Sequence, residues 1–555
     1  YGVTANYVTG LDVVLADGRL QTFGGPALDY PEYDFVGLLT GSEGTLALTT
    51  RAMVTLRRAA PAARTLLAAF DSLEQAGRAV SAVISRGLTP TAFEMMDQKV
   101  MQIVEQFSPA GLPVQSAAAL ILEVDGAPAS ADAQIAEAAA ALQANGASDV
   151  RLAQTEAERA RIWYGRKSAV GALARLAPAY VIIDGTVPRS RLAEALLGTT
   201  AICNALDLPV GYVFHAGDGN LHPLILIRDP QNTDLVARVR LAGERISALC
   251  VELGGSITGE HGVGIEKRAY MPLMHTPAEL ALMSHIKTCF DPTGLLNPHK
   301  ILPDLSEASS DLPPVASLPL QPSYQPQTAD EAAQILAAHT AARQPLRLTG
   351  AAAPQITEMR PLSTARLAGI QTLNLDDRYV VAGAGTRLID LQAELASQGV
   401  MIPAASPWPE ATLGGVFSAG VNAPLRLCYG ALRDIALALD VVLPNGQRIR
   451  TGRPVMKNVA GYDLTRLFIG ARGSLGLITA LTLNLRPLPR RCLTFAVPFE
   501  QPAAALAAGL ALARNLLTAS AVLVGQNLGL PGLPDCTLIC TLEGFDEDVA
   551  ADDAV

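Results

Sequence analysis

The strongest constraint on the fold is that the chain repeats part of itself. Residues 1–18, YGVTANYVTGLDVVLADG, resemble residues 429–446, YGALRDIALALDVVLPNG. A second similar block follows in each half, GSEGTL at residues 41–46 and GARGSL at residues 470–475, with the offset changed by one residue. This self-similarity predicts two copies of one domain type, related by a single small insertion. Residues 324–428 precede the repeat in the second copy, so the first copy is expected to be partial.

Composition and turn residues predict where the domains end. At 555 residues the chain exceeds what one hydrophobic core normally supports. A Pro- and Ser-rich stretch at 304–326 is typical of a linker. The region before it alternates strand and helix patterns, which predicts an α+β unit with an antiparallel sheet flanked by helices. Its predicted strands lie near 65–70, 119–124, 180–183 and 208–214, and its predicted helices near 73–86, 131–144 and 237–253. The expected units are 1–58, 59–303, the linker 304–326, 327–490 and 491–555, the last being the start of a second unit of the 59–303 type.

The charge balance and the cysteines exclude several classes of protein. The net charge of −10 argues against a nucleic-acid partner, which requires a basic face. The seven cysteines are scattered, so the chain lacks the closely spaced group that an iron–sulfur cluster needs. No apolar stretch reaches the roughly 18 residues of a membrane-spanning helix. Because no signal sequence opens the chain either, a cytoplasmic protein is expected.

Two glycine-rich loops gather three of the seven histidines. In VFHAGDGNLHP, a tight turn between His215 and His222 can bring both imidazoles to one point. In GGSITGEHGVG, Glu260 can add an oxygen ligand to the two nitrogens. This donor set suits a divalent metal such as Zn, Fe or Mn, and His261 is then placed to act as a base on a metal-bound hydroxyl. The alternative, that the histidines are hydrogen-bonded residues of an ordinary hairpin, stays open at this point.

Arg166 is a candidate for binding an acidic substrate. It lies in the segment IWYGRK, and a planar guanidinium can bind a carboxylate through two parallel hydrogen bonds. An arginine at such a position is more often a solvated helix residue, so Arg166 alone does not predict a substrate.

Three motifs together carry a resemblance to a known family. HAGDGNLHP, GGSITGEHGVG and FDPTGLLNP resemble the C-terminal domain of the flavin-linked 2-hydroxy-acid dehydrogenases, which are related to vanillyl-alcohol oxidase and include glycolate oxidases and D-lactate dehydrogenases. The resemblance implies that residues 1–303 are similar to the catalytic flavin subunit of glycolate oxidases, without its N-terminal flavin-binding portion. From about residue 324 the chain resembles their second flavin-type subunit, cut off before that subunit's end. The implied fold class is α+β, with one partial and one near-complete copy of a PCMH-type, two-lobed FAD-binding domain and an α+β cap between them.

The same resemblance assigns roles to individual residues. His215, His222 and Glu260 fall where the family places metal ligands. His261 falls where the family places the base that removes the substrate hydroxyl proton while hydride passes to the flavin, and Arg166 matches a residue that holds the substrate carboxylate. The implied FAD contacts are Gly41, Ser42, Gly44, Thr45, Asn297, Thr412, Gly414, Gly415, Lys457, Asn458, Gly461, Gly473, Ser474, Gly476 and Ile478.

Two departures from the family pattern bear on activity. The alanines of LTGAAA, residues 348–353, replace glycines of the pyrophosphate loop, so FAD is expected to bind there less tightly. The first copy lacks most of its own flavin site. We therefore expect the flavin domain of the second copy to dock against the cap in some molecules.

The expected reaction is flavin-dependent oxidation of a short 2-hydroxy acid, glycolate to glyoxylate first, with D-lactate as the alternative substrate. Val170 and Ile182 stand where relatives that act on dicarboxylates use Thr and Lys, which favours a monocarboxylate. Because the chain has no cysteine cluster, the resemblance implies a separate iron–sulfur electron-transfer subunit, with peripheral association at the inner face of the membrane through that partner. A different class is also consistent with the sequence, namely an inactive fragment that acts as a binding or assembly module.

Overall fold

A computed structural model describes residues 3–26, 33–304, 323–350, 359–526 and 536–554, together with residues 532 and 534. The first copy of the repeat consists of β1 (Val8–Val14), β2 (Leu20–Gly24), α1 (Phe35–Leu39) and β3 (Leu48–Val54), preceded by a 3-10 turn at Thr4–Asn6. Its strands pair antiparallel in the order β2-β1-β3. Helix α1 begins at a cap, because the Asp34 carboxylate accepts the Gly37 N–H at 2.8 Å.

The region 59–303 is built on a seven-stranded antiparallel sheet flanked by helices, as its sequence pattern predicts. Its strands are β4 (Ala62–Phe70), β5 (Ala92–Asp97), β6 (Ala118–Gly126), β7 (Ala147–Leu152), β8 (Ala179–Ile182), β9 (Gly185–Thr186), β10 (Val210–Phe214), β11 (Asn220–Leu221) and β12 (Pro223–Ile227). Its helices are α2 (Leu73–Ser85), α3 (Gln98–Phe107), α4 (Pro128–Ala144), α5 (Glu156–Leu173), α6 (Leu192–Ala205), α7 (Thr233–Glu252) and α8 (Pro277–Phe290). The sheet order is β7-β4-β6-β5-β10-β12-β8, and β9 pairs with β11 separately.

Helices cover both faces of this sheet, which we call the cap sheet. Alternate residues of β4 enter opposite cores, so Leu66 and Phe70 pack under α2, α4, α6 and α7, whereas Leu67 packs under α3 and α5. A strand that is buried on both faces needs no polar side, which explains the uninterrupted apolar runs in this part of the sequence.

The second copy of the repeat is larger. Its elements are α9 (Ala329–Ala341), β13 (Leu346–Thr349), β14 (Arg360–Ser363), β15 (Ile370–Asn374), β16 (Tyr379–Gly383), α10 (Leu388–Ser397), β17 (Val400–Met401), α11 (Leu413–Ala419), α12 (Arg426–Tyr429), α13 (Leu432–Ile435), β18 (Ala436–Val442), β19 (Arg448–Gly452), α14 (Leu464–Phe468), β20 (Leu477–Asn484) and β21 (Arg486–Pro487). The main sheet has the order β15-β16-β20-β18-β19, with a parallel pair β13-β14 and an antiparallel pair β17-β21 beside it.

The C-terminal region repeats the beginning of the cap. It contains β22 (Arg491–Pro498), α15 (Pro502–Asn515), β23 (Ala519–Gln526), β24 (Cys536–Gly544) and α16 (Asp546–Asp553). Its strand order β22-β24-β23 is that of β4-β6-β5 in the cap sheet. Within the described ranges, no helix has the length and apolar character needed to cross a bilayer.

The two copies of the repeat share one hairpin register. Val13 pairs with Gln21 across β1 and β2, and Val441 pairs with Ile449 across β18 and β19. β1 and β18 also carry bulges at equivalent points against the third strand. The sequence repeat is therefore a structural repeat.

The copies differ at the strand that follows the GSEGTL or GARGSL segment, which is β3 in the first copy and β20 in the second. In the second copy β20 lies between β18 and β16, and all of its residues are buried. In the first copy β3 pairs with β1, and no other described strand pairs with its second edge. Leu48 and Val54 of β3 are consequently 60% and 54% exposed. β3 is thus an edge strand of the kind that another strand can extend.

Both copies and the end of the cap contribute to one hydrophobic core, in which Leu38 of α1, Met283 of α8 and Phe468 of α14 are all buried. The equivalent helices α1 and α14 pack against each other, and so do the equivalent helices α4 and α16. The Asp34 carboxylate also pairs with the buried Arg433 guanidinium, with 2.8 Å between Oδ1 and Nη1. The second copy therefore packs on the first copy and on the cap.

Asp97 makes the stability of the cap depend on pH. Its side chain caps α3 by accepting the Val100 N–H at 2.9 Å, and burial raises its pKa from 3.8 to about 6. Because the folded pKa is the higher one, stability from this group is present below the unfolded pKa and lost as the pH rises through about 6. Asp97→Asn keeps a capping oxygen without the charge, so it should stabilise the protein at pH 8 by up to about 3 kcal/mol.

Thermal melts of parent and variant between pH 4 and pH 8 check this expectation. Asp149→Asn, on the exposed side of β7, is the matched control and should melt like the parent throughout. If the difference in melting temperature between the parent and Asp97→Asn does not widen as the pH rises, burial of the Asp97 charge does not limit stability.

Candidate active site

The turn between β10 and β12 brings two histidines together. β10 ends just before His215, and a 3-10 turn at Ala216–Asp218 reverses the chain. Gly219 closes the turn at φ 69°, and a Cβ there would lie 2.2 Å from the Val187 carbonyl oxygen, so only glycine fits. The rings of His215 and His222 consequently lie 5.5 Å apart between centroids.

The second glycine-rich loop is folded around one buried carboxylate. Through Oδ2, Asp184 accepts the backbone N–H groups of Gly259, Glu260 and His261 at 3.1, 3.0 and 2.8 Å. The Thr258 hydroxyl donates to the same oxygen at 2.7 Å. This single side chain therefore fixes the backbone that presents Glu260 and His261.

Asp184 remains ionised although its side chain is 0% exposed. Burial alone would raise its pKa, but a hydrogen bond with His222 and the charge of Lys267 hold the pKa of Asp184 far below its usual range. The His222 Nε2 lies 3.4 Å from Oδ1, and the Lys267 ammonium lies 3.6 Å from Oδ2. The sequence analysis did not identify Asp184. The available signal was a single acid within the apolar segment VIIDGTV.

The three predicted metal ligands lie at one point. Nε2 of His215 and Nε2 of His222 are 3.6 and 3.4 Å from Oε1 of Glu260. All three ligand atoms lie within 4.8 Å of one another. A tetrahedral ion bound at about 2.1 Å separates its ligand atoms by about 3.4 Å, so the donors and their spacing fit a divalent cation. In the part of the chain that the structure describes, no other group of three or more His, Cys, Asp or Glu side chains has such spacing.

Electrostatics favour a cation at this point. A hydrogen bond with His215 outweighs burial and holds the pKa of Glu260 at about 2. Hydrogen bonds with Glu260 and Glu94 raise the pKa of His215 to about 9. A metal ion and a proton therefore compete for the same imidazole nitrogen.

Arg166 reaches this cluster through Glu94. Its Nε and Nη2 lie 2.9 and 2.8 Å from Oε2 of Glu94, and the Glu94 Oε1 lies 2.8 Å from Nδ1 of His215. Burial works to raise the pKa of Glu94, but the His215 hydrogen bond and the Arg166 charge lower it. The guanidinium fork predicted to hold a substrate carboxylate thus binds a carboxylate of the protein, and the substrate role of Arg166 stays a prediction. Glu94 was not identified from the sequence.

His261 lies beside the three ligands. Its ring stacks on His222, with 5.0 Å between centroids and 25° between planes, and its Nε2 lies 3.9 Å from Oε1 of Glu260. Burial lowers the pKa of His261, so the ring is neutral at neutral pH and can accept a proton. Its side chain is 44% exposed, which leaves it accessible to a small molecule.

A segment of the second copy forms one wall of the site. The Lys457 ammonium lies 3.0 Å from Oε2 of Glu260 and 3.0 Å from Oδ2 of Asp218. Asn458 Oδ1 accepts a hydrogen bond from the Ser256 hydroxyl at 2.8 Å. Both residues were expected to contact FAD, and here both contact the cap.

A cleft of about 530 Å³ opens beside these residues. Its walls include Gly41 of the first copy, Glu260 of the cap and the segment 457–466 of the second copy. This volume falls within the range of small-molecule and cofactor sites. The cleft therefore joins a predicted metal ligand to glycine-rich motifs of both copies.

The predicted flavin residues of the first copy line up along the second glycine-rich loop. Gly41 and Gly44 have φ of 83° and 68°, which glycine tolerates, and the residues that follow them, Ser42 and Thr45, are buried. Asn297 Nδ2 donates to the Glu43 carbonyl at 2.5 Å.

Glu43 was missed by the sequence analysis, although it supports the loop directly. Its carboxylate accepts the N–H groups of Val263 and Gly264 at 2.7 and 2.8 Å. The partial copy thus helps to hold the loop that carries Glu260.

Several predicted flavin residues of the second copy have structural partners. Thr412 caps α11 by accepting the Gly415 N–H at 3.2 Å. A Cβ on Gly414 or Gly476 would lie 2.8 Å from a neighbouring apolar side chain, and Ile478 is buried in β20. Their predicted contacts with FAD stay predictions.

The remaining predicted flavin residues of the second copy contact three different parts of the chain. Gly473 turns at φ 75° beside Leu348, and the Ser474 Oγ lies 2.9 Å from the Tyr33 hydroxyl of the first copy. Gly461 turns at φ 88° against Met283 of α8. The alanines at 351–353 lie outside the described residues.

Comparison with known families agrees with this geometry. Residues 59–301 match the family model of the C-terminal domain of FAD linked oxidases. The cap is therefore similar to a FAD-linked oxidase domain. Residues 323–452 match a FAD binding domain. These matches confirm the family resemblance that the three motifs indicated.

The chain is also similar to curated proteins that are named as glycolate oxidase subunits or D-lactate dehydrogenases. The chain is 45% identical over 305 residues to glycolate oxidase subunit GlcD of Escherichia coli K12, covering 55% of this chain and 61% of that protein. It is 38% identical over 302 residues to GlcD of Bacillus subtilis 168, covering 54% and 64%. It is 32% identical over 320 residues to a probable mitochondrial D-lactate dehydrogenase of Danio rerio, covering 56% and 63%. Each match spans less than two thirds of the relative's own length.

Removing the charge of Asp184 should loosen the cap at its second glycine-rich loop. Asp184→Asn leaves the Lys267 ammonium buried without its carboxylate, which typically costs about 3–5 kcal/mol. We expect a lower melting temperature and faster amide hydrogen exchange at 258–264. Asp125→Asn, an exposed substitution on β6, is the control and should change neither quantity. Unchanged exchange in Asp184→Asn would show that other contacts fix the loop.

Proposed function

We propose that this chain oxidises a short 2-hydroxy acid, with glycolate as the first candidate substrate and glyoxylate as its product. The observation that carries the proposal is the cleft in which Glu260 meets glycine-rich segments of both copies. The GlcD relatives, which are named as glycolate oxidase subunits, support glycolate. D-lactate is the second candidate, because further relatives are named as D-lactate dehydrogenases.

In this proposal His215, His222 and Glu260 hold a divalent cation, Zn, Fe or Mn, against which the oxygens of the hydroxy acid are oriented. FAD, when bound, would supply the acceptor for the hydride of the substrate carbon. His261 takes the hydroxyl proton at Nε2, because this ring is neutral and accessible beside the ligands. Asp184 and Glu94 keep the ligands oriented throughout.

The residue types at two positions favour a small monocarboxylate. Val170 of α5 and Ile182 of β8 are apolar, so neither offers a partner for a second carboxylate. In addition to Arg166, Lys457 offers a positive charge at the site. A substrate carboxylate would compete with Glu260 and Asp218 for the Lys457 ammonium.

We further propose that the electrons leave through a separate iron–sulfur subunit. The described cysteines are free, and none belongs to a metal-binding group in the described ranges. Such a partner would bring the chain to the inner face of the membrane as a peripheral component. The competing proposal is an inactive binding or assembly module.

The absorbance of bound flavin tests the proposal. Anaerobic glycolate should bleach the visible flavin band of the purified full chain. His261→Ala should slow this bleaching by about 10²–10⁴-fold, because the substrate proton then has no acceptor. His285→Ala, an exposed histidine of α8, is the control and should bleach like the parent. A flavin band that neither glycolate nor D-lactate bleaches would favour the assembly module.

The metal site can be tested without turnover. Mn²⁺ or Zn²⁺ titrated into the chelator-treated full chain should bind one ion per chain at the three ligands. His222→Ala should weaken this affinity by at least about tenfold, since one of three protein ligands is lost. Calorimetry or metal analysis after dialysis measures the effect, again with His285→Ala as the control. Equal affinity in His222→Ala and the parent would place the metal elsewhere.

A further inference from the structure

A second cavity, of about 80 Å³, is lined by His215 and lies between the cap and the second copy. Three arginines line it, Arg189 from the cap and Arg378 and Arg486 from the second copy. Arg189 and Arg378 are only 9% and 6% exposed. The volume corresponds to a few water molecules, so a ligand here would be small.

The positive charge of these three guanidinium groups exceeds that of the acids near them, since Asp377 and Asp218 attract Arg189 only at longer range. Arg189 donates to the carbonyl oxygens of Gly217 and Asp377 at 3.4 and 3.2 Å, and Arg378 donates to the Leu88 carbonyl at 3.5 Å. In the described ranges, none of the three forms an ion pair within 4.0 Å of a carboxylate. Burial, and then repulsion by Arg189 and Arg486, lower the pKa of Arg378 to about 9, so it is still protonated at neutral pH.

The two acids that line the cavity pair with cationic groups other than its three arginines. Glu94 is bound by Arg166 and His215, and Asp218 by Lys457. The carboxylate of Asp377, which attracts Arg189 at longer range, accepts the Ser190 N–H at 2.9 Å and the Asn374 amide at 3.0 Å. Buried charges without a counter-ion are costly, so a cluster of three calls for an anion.

The backbone at Arg378 is a second, independent sign of function. Arg378 has φ +57°, a left-handed conformation that costs a residue with a Cβ of order 1 kcal/mol and glycine almost nothing. An arginine held there aims its side chain into the cavity beside Arg189 and Arg486. A purely structural turn would favour glycine or asparagine at this position.

We propose that this cavity binds a free tetrahedral oxyanion, with inorganic phosphate as the reference ligand, and that the anion joins the cap to the docked second copy. Its oxygens accept hydrogen bonds from Arg189 on one side and from Arg378 and Arg486 on the other. The cavity shares Met456, Asn484 and Arg486 with the Glu260 cleft. Phosphate binding requires neither flavin nor turnover, so it is measured separately from the proposed oxidation of a hydroxy acid.

The test is a thermal melt of the full chain in sodium phosphate and in sodium chloride of equal ionic strength. Phosphate should raise the melting temperature of the parent by about 2 °C or more at saturating concentration. Arg378→Gly should abolish that rise, while melting in chloride no lower than the parent, because it removes both a buried charge and the left-handed strain. Isothermal titration calorimetry should show one phosphate per parent chain and none for the variant.

The matched control is Arg343→Gly, which removes an exposed arginine with φ +52° remote from the cavity and should keep the full response to phosphate. Sulfate should act like phosphate. The proposal is overturned if phosphate acts no differently from chloride on the parent, if Arg378→Gly keeps the response, or if malonate stabilises more than phosphate. None of these readouts depends on flavin or turnover, so they stand apart from the test of the oxidation.

Discussion

The ionised carboxylate of Asp184 is the interaction on which the site depends. One oxygen of a side chain without solvent contact gathers three consecutive backbone N–H groups and a hydroxyl, while Lys267 balances the charge. Charge-assisted hydrogen bonds of this kind are about twice as strong as neutral ones, and they leave the loop one conformation. Glu260 and His261 are consequently presented by a rigid backbone rather than by a mobile loop, which is what precise ligand geometry requires.

The second organising feature is that equivalent parts of the two halves meet each other. α1 packs on its counterpart α14, and α4 on its counterpart α16. The chain thus resembles a dimer of related subunits contained in one polypeptide, with self-complementary contacts of the kind found across twofold axes. The ion pair between Asp34 and Arg433 departs from this symmetry and fixes which half takes which position.

Much of the architecture could be predicted from the sequence because it is local. The repeat appears in the structure with its register and bulges, and the antiparallel cap sheet follows from strand and helix patterns. The convergence of His215 and His222 was predictable because a glycine turn only six residues long separates them. Asp184, Glu94 and Lys457 were not, since each reaches the site from a distant part of the chain. For Asp184 a signal existed, a single acid within the apolar segment VIIDGTV, whereas nothing near Lys457 in sequence reveals its contact with Glu260.

The free edge of β3 has a consequence for how molecules of this chain can meet. Arg51 lies at the middle of β3, where its charge also reaches Asp12 of β1 at 3.4 Å. If two such edges paired antiparallel about a twofold axis, Arg51 would face Arg51, and like charges directly opposite one another destabilise a strand pair. Arg51 therefore disfavours this symmetric pairing of two β3 edges. The edge stays open to a strand that offers an acidic or neutral residue at that position.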